Sequence, residues 1–165
     1  MNTPLSPAPR RGLLTATALL LLAAPLSAQL APVSDNGSTR LLRRPTMSAS
    51  HIAFEYGNDI WVVGRAGGAA TRITSFQGQE TRPSFSPDGR WIAFSAQYGG
   101  NTDVYIAPAQ GGEPRRLTWH PGGDDVQGWT PDGSAVVFSS SRTSAPGGSQ
   151  KFWTVNVNGG NPQPL

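Results

Sequence analysis

The chain contains no cysteine among its 165 residues, and only 14% of them are charged. The lack of cysteine excludes disulfides and structural metal sites built on thiolates. No amphipathic helix pattern follows the first thirty residues, so the folded part is not expected to be helical. What the sequence has in abundance is glycine, with 20 residues, and proline, with 15. These lie between short runs rich in Val, Ile, Trp and Phe, a composition typical of an all-β protein with many turns.

The long apolar run in the sequence lies at its start. An arginine pair at residues 10–11 precedes an apolar stretch at residues 12–24, and Ala28 offers a small residue at a cleavage position. This order predicts a secretory signal peptide over residues 1–28, followed by a flexible linker over residues 29–40. The apolar core is shorter than the roughly 20 residues that a membrane span needs, which favours a cleaved signal peptide. The alternative is an uncleaved anchor. We therefore expect export to the periplasm or the extracellular space, by the general or the twin-arginine route, with membrane contact only during export.

The net charge of +3, from 13 basic and 10 acidic residues, is partly a property of this leader. Without the two arginines of residues 10–11, the remaining 11 basic and 10 acidic residues give +1. A nearly neutral chain offers no electrostatic basis for binding DNA or RNA, so no nucleic-acid partner is expected.

A ten-residue phrase occurs twice. Residues 85–94 read Phe-Ser-Pro-Asp-Gly-Arg-Trp-Ile-Ala-Phe, and residues 129–138 read Trp-Thr-Pro-Asp-Gly-Ser-Ala-Val-Val-Phe, 44 positions later. Gly-Gly pairs keep the same step from Gly67 to Gly111, and then 48 positions to Gly159, because a longer loop intervenes. A period in the low forties, with several strands and a tight turn in each unit, predicts the blades of a β-propeller.

The Pro-Asp-Gly turns suit hairpins, since Pro presets φ, Asp bonds the nearby backbone and Gly accepts positive φ. We predict an incomplete β-propeller of about three four-stranded, WD-like blades, over residues 41–80, 81–124 and 125–165. The first blade is degenerate because it lacks the Pro-Asp-Gly phrase, and the third is truncated at Leu165.

Rings of blades typically close with four to eight units, and closure protects strand edges. Three blades do not close, so we expect the N-terminal fragment of a longer protein. The alternative is a short protein that completes its ring by oligomerising. That alternative requires two matching ends, which the sequence does not reveal.

The link between the second and third units resembles a known family. The stretch Leu-Thr-Trp-His-Pro-Gly at residues 117–122, which leads into Gly-Trp-Thr-Pro-Asp-Gly at residues 128–133, is similar to the opening blades of tricorn-type peptidases, as are residues 82–95. The resemblance covers about residues 40–165. It implies the N-terminal propeller of an exported serine peptidase of the C-terminal processing type, in which the propeller screens or channels unfolded peptides toward a catalytic domain. The nucleophile and its histidine partner would lie beyond residue 165, so the resemblance places no catalytic residue on this chain.

Two other functions remain open. One is a TolB-like binding propeller of the cell envelope without a hydrolase domain. The other is the propeller of a dipeptidyl-peptidase-like enzyme with an α/β-hydrolase domain. The partners expected for the tricorn-like peptidase are peptides or unfolded polypeptide, engaged through the full-length protein, and homo-oligomerisation of the full-length protein is left open. No cofactor is expected.

The chain itself offers only weak candidates for catalytic residues. There is no Gly-x-Ser-x-Gly elbow, and Ser149 lies in a glycine-rich loop. His51 opens a strand and His120 lies in a Pro-Gly loop, so both are interpreted as structural or surface residues. No catalytic, cofactor-binding or metal-binding residue is therefore assigned.

Four aspartates are better explained by turns than by catalysis. Asp124 and Asp125 could offer oxygen ligands to a hard cation, but the regular spacing of a calcium loop is absent and a turn is favoured. Asp88 and Asp132 belong to the repeated turns.

Three tryptophans remain as candidates for contact with a peptide. Trp119, Trp129 and Trp153 could line a channel, although aromatic residues in strands more often pack between blades.

Overall fold

The computed structural model describes residues 41–145 and 148–165. The predicted signal peptide and linker, and residues 146–147 of the loop before Ser149, lie outside the described residues. The described ranges hold twelve strands and no helix, and so contain no helix of the length and apolarity that crossing a membrane requires.

The strands form three sheets, each an antiparallel meander of four strands in chain order. The first sheet contains β1 (Arg43–Met47), β2 (His51–Tyr56), β3 (Asp59–Gly64) and β4 (Thr71–Arg72). The second contains β5 (Glu80–Phe85), β6 (Trp91–Ala96), β7 (Asp103–Pro108) and β8 (Arg115–Arg116). The third contains β9 (Asp124–Trp129), β10 (Ala135–Ser140), β11 (Lys151–Asn156) and β12 (Gln163–Pro164). Sheets two and three begin at Glu80 and Asp124, one residue before the blade limits drawn from the sequence.

The repeated turns join the first two strands of sheets two and three. Gly89 and Gly133 have φ of 70° and 71°, which favours glycine at both positions. The Ser86 Oγ accepts a hydrogen bond from the Trp91 N–H at 3.0 Å and donates one to the Asp88 carboxylate at 2.6 Å. Side chain and backbone together fix the turn and hence the register of the hairpin.

The core lies between the sheets. Alternate residues of each middle strand face the neighbouring sheet on either side. On β7, Val104 and Ile106 belong to the cluster shared with the third sheet, whereas Tyr105 and Ala107 belong to the cluster shared with the first. This two-sided burial explains why the middle strands are apolar almost throughout.

Each first strand carries a bulge opposite the second strand. The register shifts between Arg43 and Thr46 in β1, and again between Thr81 and Ser84 in β5. Arg44 and Arg82 take left-handed φ of 45° and 56° at these positions. A bulge frees a backbone N–H from the ladder and increases the local twist.

Three four-stranded sheets stacked face to face, and unclosed within the described residues, confirm the prediction of an incomplete β-propeller. The third sheet includes a fourth strand as long as those of its neighbours, with Trp153 opposite Pro164 and Thr154 opposite Gln163. What the third sheet lacks is a counterpart of Thr74 and Thr118, which would fall after Leu165.

Candidate functional site

The first strands of the three sheets adjoin and form one polar surface. A groove of 290 Å³ runs along it and is lined by residues 44–46 of β1, residues 82–84 of β5, and Val126 and Gln127 of β9. We call these residues, together with Asp125, the inner wall. In a propeller, the sheets are arranged around a central channel. The inner wall is the part of this chain that such a channel would expose.

Two arginines dominate the electrostatics of the inner wall. Arg82 Nε lies 3.4 Å from Asp125 Oδ1, and Arg44 Nη1 lies 3.3 Å from Glu55 Oε1. The arginine side chains remain 37% and 52% exposed, respectively. Ion pairs with this exposure are weak and screened by salt, so the guanidinium groups stay available to a ligand.

Backbone hydrogen bonds between sheets fix the position of the first strands. The Arg82 N–H donates to Glu55 Oε1 at 2.6 Å, and the Val126 N–H donates to Ser95 Oγ at 2.8 Å. Glu55 and Ser95 occupy the same place, the fifth residue, in β2 and β6. In each case a side chain of the preceding sheet binds an N–H at or next to the bulge of the following first strand. We call this contact the inter-sheet latch.

Behind the inner wall, a buried carboxyl group begins β5. Glu80 accepts hydrogen bonds from the Thr74 hydroxyl at 2.6 Å and from the Tyr98 hydroxyl at 2.6 Å. Thr74 Oγ1 also accepts the Ile60 N–H at 2.9 Å. Burial raises the pKa of Glu80, because the hydroxyl donors that favour the carboxylate do not offset its desolvation. The pKa of Tyr98 is raised as well, first by burial and then by Glu80.

Between sheets two and three, the position equivalent to Glu80 is occupied by an aspartate that is paired with an arginine. Asp124, the counterpart of Glu80, lies 2.7 Å from Arg142, and Asp103 lies 2.6 Å from Arg116. Burial raises the pKa of Asp103 and the nearby Asp124 adds to this effect, while Arg116 opposes it. Both carboxylates are fully buried, so each arginine compensates a charge that would otherwise be costly.

The turn assignment of Asp124 and Asp125 was wrong, because both residues are in strand β9. The Asp124 N–H donates to the Thr102 carbonyl at 2.9 Å and starts the strand. Alternation along the strand then sends the Asp124 carboxylate to Arg142 and the Asp125 carboxylate to Arg82. The two carboxylates do not converge, and the described part of the chain contains no group of three or more His, Cys, Asp or Glu residues placed to hold a metal.

Asp88 and Asp132 act within their turns. Ser86 and the Arg90 backbone hold the pKa of Asp88 at about 2, and Thr130 and Ser134 do the same for Asp132. Hydrogen bonds to an ionised carboxylate favour the charged form. These aspartates therefore stabilise hairpins, as the sequence indicated.

The side chains of the two histidines and the backbone of Ser149 make hydrogen bonds to near neighbours in sequence. His51 Nδ1 lies 2.8 Å from the Ser50 hydroxyl, at the exposed start of β2. His120 Nδ1 accepts the Gly122 N–H at 2.9 Å and so shapes its own loop. Ser149 is exposed, and its carbonyl accepts the Ser144 hydroxyl at 2.6 Å.

The three tryptophans have three different roles. Trp153 is buried between sheets two and three, with Arg142 over its ring at 5.1 Å. Trp129 is half-buried and donates its indole N–H to the Ser84 carbonyl of sheet two at 2.9 Å. Trp119 is 63% exposed, with Arg116 stacked over it at 5.7 Å. Two of the three therefore pack or bridge sheets, and Trp119 alone among them offers a free ring face.

Sequence reasoning missed the buried polar layer. Glu80 and Asp124 share the 44-residue step, as do Thr74 and Thr118. The step itself was therefore a usable clue. It was obscured because Glu80 and Asp124 differ in residue type and so do their partners, Tyr98 and Arg142.

The architecture and the inner wall define a segment of a β-propeller. The family model of the tricorn protease N-terminal β-propeller domain matches residues 39–165. The chain belongs to this family. A search of curated protein sequences gave no match.

Solved structures place the chain among related propellers. The tricorn protease is 29% identical with a TM-score of 0.68, over 78% of this chain and 13% of that one. TolB from Acinetobacter baumannii is 28% identical with a TM-score of 0.65, over 76% of this chain and 32% of that one. The β-propeller domain of the Trilobed protease from Pyrococcus furiosus shares the fold, at 17% identity and a TM-score of 0.56, over 73% of this chain and 40% of that one. The chain thus spans less than a third of either of the first two relatives.

Proposed function

We propose that this chain is the non-catalytic N-terminal propeller segment of a tricorn-like serine peptidase and that its inner wall holds extended polypeptide on the way to a catalytic domain outside these residues. The observation that carries the proposal is the inner wall itself. It is a polar groove built by three sheets of a chain that belongs to the tricorn N-terminal propeller family.

The chemistry of the inner wall suits an extended peptide. Arg44 and Arg82 present partly exposed guanidinium groups, and Gln127 adds an exposed amide. Guanidinium and amide groups donate hydrogen bonds to carbonyl and carboxylate oxygens, which every peptide carries. Such contacts do not depend on side-chain identity, and this suits a surface that receives many sequences.

In this proposal, hydrolysis belongs to a domain outside these residues. Ser50 and His51 are adjacent in sequence at an exposed strand end. Within the described residues, the hydrogen bonds that involve side chains join them to Ser48 and to each other, and none is to a carboxylate. A working nucleophile needs a base that is itself oriented by a third group.

Export is part of the same proposal. A basic pair, a short apolar core and a small residue at the cleavage position support secretion with removal of residues 1–28. The expected mature N-terminus is Gln29, which N-terminal sequencing of the secreted chain would test.

A TolB-like envelope binding protein is the second candidate. The similarity to TolB from Acinetobacter baumannii, 28% identity at a TM-score of 0.65, is nearly as high as that to the tricorn protease. The coding sequence after Leu165 separates the two. A PDZ-like and a processing-peptidase domain support the tricorn-like protein, whereas further blades followed by a stop support the TolB-like one.

Binding of a fluorescein-labelled unstructured peptide, followed by anisotropy, tests the role of the inner wall. Asn is tolerated at positive φ, so Arg44→Asn and Arg82→Asn remove charge while keeping the backbone conformation. Arg65→Asn removes an exposed arginine that follows β3 and is not part of the inner wall, and it is the matched control. We expect the inner-wall variants to lose roughly tenfold in affinity, about 1.4 kcal/mol, and the control to retain it. Equal affinities for all three variants would contradict the proposal.

A turnover assay tests the non-catalytic assignment separately. The purified chain is expected to hydrolyse no peptide. Turnover that persists in purified protein and disappears in Ser50→Ala or Ser149→Ala would overturn the assignment without affecting the binding result.

A further inference from the structure

Two aromatic side chains are exposed in the connections between the sheets. Phe76, between β4 and β5, is 50% exposed, and Trp119, between β8 and β9, is 63% exposed. Each connection lies between two sheets that the structure describes, so the sheets on both sides of these side chains are present. Single apolar residues on a protein surface need no explanation, whereas a contiguous patch marks an interaction site.

A series of contacts joins Phe76 and Trp119 into one surface. The Phe76 ring lies 5.1 Å from the Tyr98 ring. Tyr98 is followed by Gly99, and a Cβ atom on Gly99 would lie 4.0 Å from Arg116 Nη1. The Arg116 guanidinium in turn lies over the Trp119 ring at 5.7 Å. We call Phe76, Tyr98, Arg116 and Trp119 the aromatic ridge.

Hydrogen bonds fix the side chains against which the exposed rings pack. Arg116 donates from Nη2 to the buried Asp103 at 2.6 Å and from Nε to the Thr118 carbonyl at 2.7 Å. The guanidinium is therefore held in place against the Trp119 ring. Tyr98 is fixed by its hydroxyl, which donates to the buried carboxyl group at the start of β5 at 2.6 Å. A surface whose side chains are already ordered loses little conformational entropy when it binds a ligand.

The aromatic ridge lies at one end of the inner wall. The connection with Phe76 leads into β5 and the connection with Trp119 leads into β9, and both of these strands contribute to the inner wall. The β6–β7 hairpin, which contains Tyr98, is at the same end, because Ala96 pairs with Glu80 at the start of β5. A polypeptide that enters the channel from this end would pass the ridge before it reaches the inner wall.

The chemistry of the aromatic ridge differs from that of the inner wall. The loops around it, residues 75–79, 97–102 and 119–123, contain no Asp, Glu, Lys or Arg. The charge of its one arginine is compensated by a buried aspartate. Trp, Tyr and Arg are enriched among the residues that dominate binding at protein interfaces, and aromatic rings bury large apolar areas. The ridge therefore fits apolar side chains of a polypeptide, whereas the inner wall fits backbone oxygens.

We propose that the aromatic ridge binds apolar side chains of the extended polypeptide that the inner wall receives. Aromatic and aliphatic side chains are mostly buried in folded proteins and accessible in unfolded ones, so the ridge favours unfolded substrates. This inference rests on the proposed function of the inner wall. It adds the class of substrate, which is unfolded segments that carry aromatic or aliphatic side chains.

Two fluorescein-labelled unstructured peptides test this selectivity by anisotropy with the full chain. One peptide carries Phe and Leu at regular intervals in a background of Gly, Ser and Gln, and the other carries Ser in their place. We expect the chain to bind the apolar peptide roughly tenfold more tightly, because its side chains leave water on the ridge. Equal affinities for the two peptides would overturn the proposal.

Variants of the ridge locate the selectivity. Trp119→Ala combined with Phe76→Ala should abolish the preference and leave the affinity for the Ser peptide unchanged, whereas Trp119→Phe keeps a ring and should retain most of the preference. Trp91→Ala is the matched control, since Trp91 is 37% exposed at the opposite end of β6. A preference that survives in the double variant, or that is lost equally in the control, would contradict the assignment to the ridge.

The two proposals fail in different ways. Arg82→Asn should weaken the binding of both peptides and leave their ratio unchanged, whereas the ridge variants should change the ratio. A ratio that depends on the ridge while Arg82→Asn has no effect would contradict the role of the inner wall alone. An effect of Arg82→Asn with an unchanged ratio in the ridge variants would contradict the role of the ridge alone.

Photo-cross-linking of the parent chain gives a test that does not depend on any variant. A benzoylphenylalanine in place of one Phe of the apolar peptide should cross-link to residues 75–79, 97–102 or 119–123, as mapped by mass spectrometry. Cross-links confined to other segments would overturn the proposal. Far-ultraviolet circular dichroism of each variant identifies any that fails to fold.

Discussion

Ser95 Oγ on the second sheet accepts the backbone N–H of Val126 on the third sheet at 2.8 Å, and both residues are buried. Glu55 and Arg82 repeat this contact between the first and second sheets at 2.6 Å. A bulge would otherwise leave a backbone donor unpaired in the interior, which is costly. The latch therefore lets β5 and β9 bulge and twist while the N–H groups of Arg82 and Val126 stay hydrogen-bonded.

Ser95→Ala should destabilise the chain by about 1–3 kcal/mol, because the Val126 N–H loses its acceptor and cannot reach water. Thermal unfolding would show this as a melting temperature lower by several degrees. The exposed Ser149→Ala variant is the control and should melt like the parent. Equal melting temperatures for the two variants would show that the latch contributes nothing to stability.

The latch also shows how far the sequence could be interpreted. The 44-residue step predicted three four-stranded units correctly, because turn glycines and apolar middle strands recur at fixed spacing. It could not reveal that Glu55 and Ser95 are equivalent. They differ in chemistry, and the turn between β2 and β3 has two residues where the turn between β6 and β7 has six, which changes the spacing from 44 to 40. Contacts between sheets depend on which faces of the sheets pack together, and the residue pattern along one strand does not contain that information.

Tertiary contacts of the candidate site residues were also not predictable from the sequence. Asp124 and Asp125 follow two glycines and were assigned to a turn, yet tertiary contacts with Arg142 and Arg82 place both in a strand. Trp153 was a channel candidate until its burial between sheets was known. Residue type suggested chemistry correctly only where the partners were close in sequence, as in the turn of Asp88.

Asp88 and Asp132 should make the chain less stable in acid. Their folded pKa is about 2, against an ordinary value of 3.8, so the stabilisation is complete above pH 3.8 and is lost as pH falls toward 2. Urea unfolding of Asp88→Asn and Asp132→Asn should show lower midpoints than the parent at neutral pH. The difference should disappear near pH 2. A constant difference over this range would mean that the charge of these carboxylates is irrelevant to the turns.

The contribution of Glu80 to stability should change with pH in the opposite direction. Its pKa is raised above 4.5 by burial, so the folded state binds the proton more tightly than the unfolded state. Its contribution is thus most favourable below pH 4.5 and is lost as pH rises through the higher folded value. Glu80→Gln should remove this decline, so the stability of the variant relative to the parent should increase with pH. Glu113→Gln changes an exposed carboxyl group and is the control. Parallel stability curves for Glu80→Gln and the parent would contradict the expected linkage.

Leu117 and Leu165 occupy the same place in successive sheets, yet one is fully buried and the other is 75% exposed. Leu117→Ala should cost about 2–5 kcal/mol, because it removes core contacts and leaves a cavity. Leu165→Ala should change little, because the side chain is already mostly in water. Melting curves of both variants provide the measurement. A Leu165→Ala variant that melts as far below the parent as Leu117→Ala would contradict the expected difference.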